Sequence, residues 1–582
     1  MPAITCAEIN TPEAESRALL RDSSTPWIRV ALWGLGIFLA CVQAWAFRYH
    51  VSADSISYLD MSDGVLPGGD WHRLINGVWS PLYPSLLGIF RRAFHVSPEN
   101  EIVYSHLLSV LFFLFAFLCF EFFVSGARKG FGRGEYGLVS LPLPIYTALA
   151  YTVFLWASIS AISLVALRPD MLMSGLFYLA CGILVRMQDQ PARWSSYCLL
   201  GFVIGLGYLA KAPFLPIGVL ILVASLFMVD TWRPAIKMSG TALAIALLIG
   251  SLYYVPLSLS RGYFTLGESG RFNYLVHVDD ANPSWYLQRP GLGRGSFLHA
   301  PMKIASSPVA YAFPHESLVT HPLRFDPSEW IAGVRPRVVA KRQVRIALSN
   351  VAELGPLLLQ LSGLLAAVLL STCFEWGRES LWRVAKRAWP VWLIAVSGCA
   401  MYMLVHVEPR YVGVFLVVLS VGLLCAFAVP KQVTKYLGIT ALVVLTSIVV
   451  PLTWSDYSTF ARRETKNADA EAAAALNGLG VKQGDRVARI SPIVNDLGVE
   501  RIARVEVVAE VALAQSHAFW AATPLQQWMT LQTLCADGAK AVIATKPTTD
   551  DPAKFGWKQL GATPFWAWLP NAKAPVMESR LH

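Results

Sequence analysis

Long apolar runs alternate with short polar connections up to about Ser455. A helix needs about 20 apolar residues to cross a bilayer. Runs of that kind lie near 27–47, 101–125, 139–164, 168–186, 195–211, 213–230, 239–259, 352–373, 388–407, 411–429 and 434–453. The pattern therefore predicts about eleven membrane-spanning helices. A further apolar stretch at 80–90 is too short to span and reads as interfacial. Long interruptions fall at 48–100 and 260–350. After Ser455 the character changes: helix-like DAEAAAALNGLG, strand-like GDRVARI and RVEVVAEV, a helix around PLQQWMTLQTLCADG, then strand-like AKAVIAT and FWAWL. Short β-rich runs separated by helices predict a small α/β domain.

The interruptions are not simple linkers. Within Val51–Pro84, Asp54, Asp60, Asp63 and Asp70 are mixed with Tyr58, Trp71, Trp79 and Tyr83, and with His72 and Arg73. Such a mixture, broken by Gly68-Gly69 and by prolines, predicts short helices and turns at a membrane surface. The segment 260–350 keeps frequent aromatic and apolar residues, which predicts a folded loop. Its His277, Asp279, Asp280, His299, His315, His321, Asp326 and Glu329 match no metal-ligand spacing; a lid is the better reading.

Composition agrees with the membrane class. Mean hydropathy is +0.48 over 582 residues, and only 15% are charged, against about a quarter in soluble domains. The net charge of +10 needs no nucleic acid to explain it. With the N-terminus inside, the inner connections hold Arg128, Lys129, Arg133, Arg186, Arg193, Arg233, Lys237, Arg378, Arg383, Lys386, Arg387, Lys431 and Lys435. The short outer connections hold only Arg168, Lys211 and Arg410. The positive-inside rule selects this orientation. The nine cysteines form no spaced pairs and suggest neither a disulfide framework nor zinc. The absence of an Asn-x-Ser/Thr acceptor without a central proline favours a bacterial source.

This orientation places Asp54, Arg168, Asp170, Lys211, Glu408 and Arg410 on one side, at span ends. Ionisable groups cost up to roughly 2.5–3.5 kcal/mol each at mid-bilayer. Their gathering on one face predicts a polar cavity opening outward. Asp54 follows the first span. Arg168-Pro169-Asp170 opens a later one, with proline and an acid suited to a first helical turn. Lys211 lies between two spans in GLGYLAKAPFLP, and Glu408-Pro409-Arg410-Tyr411 opens another.

In their order and common side, these elements resemble the GT-C superfamily of glycosyltransferases, in particular bacterial members of the protein mannosyltransferase and aminoarabinose transferase group. The resemblance covers roughly residues 27–455. One departure is the lone Asp54, followed by Ser-Ile-Ser rather than an adjacent acid. What the resemblance implies is an α-helical polytopic GT-C-like membrane domain at 27–455, a cytoplasmic tail at 1–26, a periplasmic loop region, and a periplasmic α/β domain at 456–582. It also implies transfer of a sugar from a polyprenyl-phosphate donor to a glycan, lipid or protein acceptor, at a hydroxyl or phosphate, on the outer face of the cytoplasmic membrane.

The residue types suit that reaction. An attacking hydroxyl must lose a proton, and a carboxylate accepts it. A departing lipid phosphate needs cations rather than a general acid. Asp54 is the expected base. Arg168, Lys211 and Arg410 are the expected phosphate ligands, with Asp170 and Glu408 orienting them. His72, Tyr83, His406 and Tyr411 are further candidates for sugar or phosphate contacts. No cofactor is called for, though a divalent cation has a possible place. The rival readings are a transporter of lipid-linked intermediates and a non-catalytic glycan-binding membrane protein.

Overall fold

The computed structural model describes residues 24–131, 139–281, 298–313, 319–366, 375–426, 466–490, 497–536, 538–545 and 552–571, with isolated positions between these blocks. The expected span at 434–453, His315 and the tail up to residue 23 lie outside the described residues. Every other expected span meets a helix. These are α1 (Ser24–Ala46), α4 (Glu101–Phe131), α5 (Leu143–Leu155), α6 (Asp170–Met187), α7 (Trp194–Ala210), α8 (Phe214–Leu226), α9 (Trp232–Arg261), α11 (Ala340–Gln360), α12 (Glu375–Met403) and α13 (Pro409–Ala426). Among the described residues, six helices are long and apolar enough to cross a membrane. The chain is a multi-pass membrane protein. Helix α11 departs from expectation: it begins at Ala340 rather than near 352, because its first turns are too charged to register as apolar.

Aromatic rings at helical spacing build the centre of the bundle. Phe117 of α4 stacks on Trp33 of α1 at 3.8 Å, and Phe120 stacks on Phe154 of α5 at 4.6 Å. Offset stacks of this kind add about 0.5–1.5 kcal/mol each beyond area burial. After Leu155 the helix widens into a π segment, Trp156–Ile162, and ends at Ser163 with φ +61°. Gln43 of α1 braces the widening. Its Nε2 donates to the Ile159 carbonyl (3.0 Å), and its Oε1 accepts from the Leu164 amide (2.7 Å). The chain leaving this segment leads to Arg168.

The interruptions fold at one end of the bundle, called here the loop end. Residues 48–100 form α2 (Ala53–Ser62) and the amphipathic α3 (Leu82–Ala93), the interfacial stretch expected at 80–90. The 260–350 segment contains α10 (Ser269–His277) and two strands, β1 (Met302–Ser306) and β2 (Val309–Ala312). Arg261, at the last turn of α9, ties this segment down with 2.6 Å bonds to Asp326 and Glu329.

The C-terminal residues form α14 (Ala468–Gly478), β3 (Arg486–Ile490), α15 (Gly498–Ala503), β4 (Glu506–Val511), α16 (Leu513–Ala521), α17 (Pro524–Ala536), β5 (Val542–Thr545), β6 (Trp557–Gln559) and β7 (Phe565–Trp568). Together with the loop strands they make one seven-stranded sheet of order β1-β2-β4-β3-β5-β7-β6. Strands β4, β3 and β5 are parallel. Strand β2 joins antiparallel to β4, with Tyr311 opposite Glu510. The loop pairing was not anticipated: KIASSPVAYA carries too little alternation to announce itself as half of a sheet.

A buried cluster of charge anchors this sheet to the bundle. Arg501 of α15 donates to Asp60 (2.6 Å), to both oxygens of Asp63 (2.7 and 2.8 Å) and to both oxygens of Glu101 (2.8 and 2.9 Å). Arg504 bonds Asp63 and Glu101, each at 2.7 Å. Arg91 of α3 reaches Asp63 at 2.9 Å and Glu101 at 2.6 Å. Thr320 of the loop donates to Asp60 through its amide and its hydroxyl. Three acids and three guanidiniums thus cancel. Burial pushes the Asp60 carboxyl above its usual range despite Arg501. At Asp63 burial acts the same way, but Arg501, Arg504 and Arg91 outweigh it and hold the carboxyl low.

Replacing Arg501 with alanine leaves buried carboxylates short of a cation. The expected cost is about 3–5 kcal/mol, read as a lower apparent midpoint of thermal unfolding in detergent. An unchanged midpoint contradicts this account of the anchor.

Candidate active site

Asp54 sits in the first turn of α2. A capping box sets that turn: Ser52 Oγ accepts from the Ser55 amide (3.3 Å) and Ser55 Oγ accepts from the Ser52 amide (3.2 Å). Ser55 Oγ also lies 3.4 Å from the Leu167 carbonyl. The serine following Asp54 is therefore structural, holding the helix start beside the segment that carries Arg168. The Asp54 carboxylate stands 3.8 Å from Arg168 Nε and 3.6 Å from Arg410 Nη1.

Behind this pair lies a tighter one. Asp170 opens α6 directly after Pro169, and its Oδ1 accepts from Lys211 Nζ at 2.5 Å. Lys211 is where α7 stops, with extended backbone, before the chain restarts as α8. Its ammonium also lies 4.4 Å from the centre of the Tyr411 ring, a cation–π contact. The other Asp170 oxygen makes no hydrogen bond and is 3.7 Å from Arg410 Nη1.

Arg410 joins the two pairs. Its Nε donates to Glu408 (2.5 Å) and its Nη2 to the Tyr411 hydroxyl (2.8 Å). The Tyr411 ring stacks on Tyr402 of α12 at 4.9 Å. His406 contacts Glu408 at 3.3 Å, and its ring stacks at 4.0 Å on His277 of the long loop. Burial pushes the Glu408 carboxyl up, but hydrogen bonds from His406 and Arg410 more than offset this and hold it low.

Asp54, Arg168, Asp170, Lys211, Glu408, Arg410 and Tyr411 thus converge, with His406 at the rim. The two pairs differ in firmness. Asp170 and Lys211 are 4% and 17% exposed and in close contact; Asp54 and Arg168 are 30% and 29% exposed and loosely paired. The buried Arg168 Nε has no hydrogen-bond partner. It and Arg410 Nη1 keep donor capacity for an incoming anion.

Two further candidates differ in placement. His72 is exposed, bonded to Asp70 at 2.6 Å and stacked on Trp71. Tyr83, by contrast, is buried beside the cluster: it packs edge-on against Tyr58 at 5.0 Å, and its hydroxyl interacts electrostatically with Asp170 and Arg168. Sequence reasoning passed over Tyr58 and Tyr402. Tyr58 had a signal, since it lies four residues after Asp54 on the same helix face; Tyr402 had none. Most of the loop acids and histidines have structural partners: His321 pairs with Glu510, Asp326 and Glu329 with Arg261, and Asp279 accepts from the Arg337 amide. Among the described residues no three His, Cys, Asp or Glu side chains gather as a metal site.

No family model and no curated protein matches the chain. Solved structures do. ArnT from Cupriavidus metallidurans in the apo state superposes with a TM-score of 0.50 at 12% identity, over 94% of this chain and 99% of that one. The same protein bound to undecaprenyl phosphate gives 0.47 at 12%, over 93% and 98%. The Archaeoglobus fulgidus oligosaccharyltransferase with zinc and sulfate gives 0.46 at 13%, over 89% and 68%. The likeness to apo ArnT shows that the chain shares that structure's fold.

The unequal pairs lead to opposite expectations. Lys211→Met strands a buried carboxylate and lowers stability by about 3–5 kcal/mol. Asp54→Asn removes only long, partly solvated contacts and costs ~1 kcal/mol or less. Thermal unfolding of both variants in one detergent tests this; equal losses contradict the division.

Proposed function

We propose that this GT-C-fold protein is a glycosyltransferase that uses a polyprenyl-phosphate-linked sugar on the outer face of the bacterial cytoplasmic membrane. The single observation that carries the reading is the position of Asp54, a carboxylate between two guanidiniums at 3.8 and 3.6 Å. A base beside cations is what one displacement at an anomeric carbon requires. The fold likeness to ArnT, an aminoarabinose transferase, supports the same class.

The chemistry follows from those positions. The donor phosphate binds between Arg168 and Arg410, with Lys211 adding charge from behind. The acceptor oxygen attacks the anomeric carbon, and its proton passes to Asp54. The bond from that carbon to the phosphate oxygen breaks, and the electron pair leaves with the lipid phosphate. One displacement inverts the anomeric centre. Negative charge grows on the phosphate as the bond stretches, where oriented cations act most strongly. Asp170 and Glu408 hold Lys211 and Arg410 in place, so little reorganisation is needed at that moment. The charges lie at one end of the bundle rather than at mid-membrane, the location typical of transporter sites.

Asp54→Asn is expected to lower turnover by about 10²–10⁴-fold while donor binding persists. Arg410→Ala is expected to weaken donor binding itself. Purified protein with a panel of polyprenyl-phosphate sugars, with and without chelator, provides the assay. Undiminished turnover in Asp54→Asn refutes the base assignment; lipid flux without sugar transfer supports the transporter reading instead.

A further inference from the structure

We infer that residues 335–348 form a docking surface for anionic phospholipid headgroups in the leaflet at the loop end of the bundle. The stretch reads Arg335-Pro-Arg337-Val-Val-Ala-Lys341-Arg342-Gln-Val-Arg345-Ile-Ala-Leu348. Between Glu329 and Glu353 it contains no acid. Arg335, Arg337, Lys341 and Arg345 are exposed. So are the apolar residues among them: Val338 at 76%, Val344 at 59% and Leu348 at 66%.

Several other cations at the loop end are matched by acids. Arg91, Arg261, Arg410 and Arg501 each pair with at least two carboxylates. Among the described residues, Arg335, Lys341 and Arg345 have no ion pair. Exposed cations interleaved with exposed valine and leucine suit neither bulk water nor hydrocarbon. They suit the boundary where acyl chains meet phosphates.

The geometry of α11 fixes the depth of this surface. Positions 343, 350 and 357 recur every two turns on one face. Gln343 Nε2 donates to the Leu404 carbonyl, Asn350 Nδ2 donates to the Met403 carbonyl at 2.9 Å, Asn350 Oδ1 accepts from the Val407 amide at 3.3 Å, and Leu357 enters the bundle core. Positions 341, 344, 345 and 348 fall on the opposite face. The cations therefore stand at the level of residues 403–407, which lead directly into Glu408 and Arg410. A lipid phosphate held by Lys341 and Arg345 seats α11, and α11 seats the segment that carries the reactive-site cation.

The test uses the full chain in nanodiscs of phosphatidylcholine with about 30% phosphatidylglycerol, a composition that gives the leaflet a negative surface. Lipid retained by the protein after exchange into detergent is measured by native mass spectrometry. The wild type is expected to enrich phosphatidylglycerol about threefold or more over the bulk ratio, with enrichment falling as salt rises. Arg335→Gln, Lys341→Gln and Arg345→Gln combined are expected to abolish it. A wild type that retains both lipids in the bulk ratio, or a variant that retains the enrichment, overturns the surface. Salt-sensitive enrichment in the wild type keeps the test valid should the variant fold poorly. In the activity arm, phosphatidylglycerol raises turnover in the wild type but not in the variant. Enrichment with unchanged turnover overturns the link to residues 403–410. The docking surface does not depend on the glycosyltransferase reading: enrichment without turnover in any membrane counts against that reading and leaves the lipid site standing.

Discussion

Charge must be balanced at both ends of one short helix, and much of the loop end follows from that requirement. Helix α2 spans Ala53–Ser62 and is buried over most of its length. At its start Asp54 faces Arg168 and Arg410; near its end Asp60 and the adjoining Asp63 face Arg501. An uncompensated buried charge is far costlier than an ordinary polar contact. The acids at the far end therefore demand cations; Arg91 comes from α3, and Arg501 and Arg504 come from α15 and the residue that ends it. The soluble sheet is thus locked, through one helix, to the residue assigned the proton-accepting role.

This arrangement separates rigidity from reactivity. The Arg501 cluster and the Asp170–Lys211 pair are tightly bonded and shut away from solvent. The contacts around Asp54 are longer and partly open. A substrate phosphate can exchange for such contacts without unmaking the fold around them. Preorganisation of this sort, a firm frame under loosely held reactive groups, lets a site oppose developing charge without first rearranging. The stacked His277 and His406 rings extend the frame into the long loop.

What the sequence made legible was local or one-sided. Apolar runs announce their helices by length alone, and the sidedness of Arg168, Lys211 and Arg410 follows once the runs are counted. Partnerships across great separation left no trace. Arg501 and Arg504, three residues apart at the end of a short helix, look like a solvated surface; their carboxylate partners lie some 400 positions earlier. His72 is close to Asp54 in sequence, but its ring is exposed and pairs with Asp70. The start of α11 was missed because Lys341, Arg342 and Arg345 make its first turns read as a polar connection. Asn350, just before the expected run at 352–373, carries the hydrogen bonds that hold the approach to Glu408.

The shared sheet has a consequence for biogenesis. Strand β2, in the long loop, has β1 on one side and β4 on the other, and β4 is synthesised about 200 residues later. While the nascent chain is still emerging, that hairpin therefore has an open edge. Every membrane segment is made before β4 is available to cover it. Completion of the sheet thus waits until the chain has been made as far as β4.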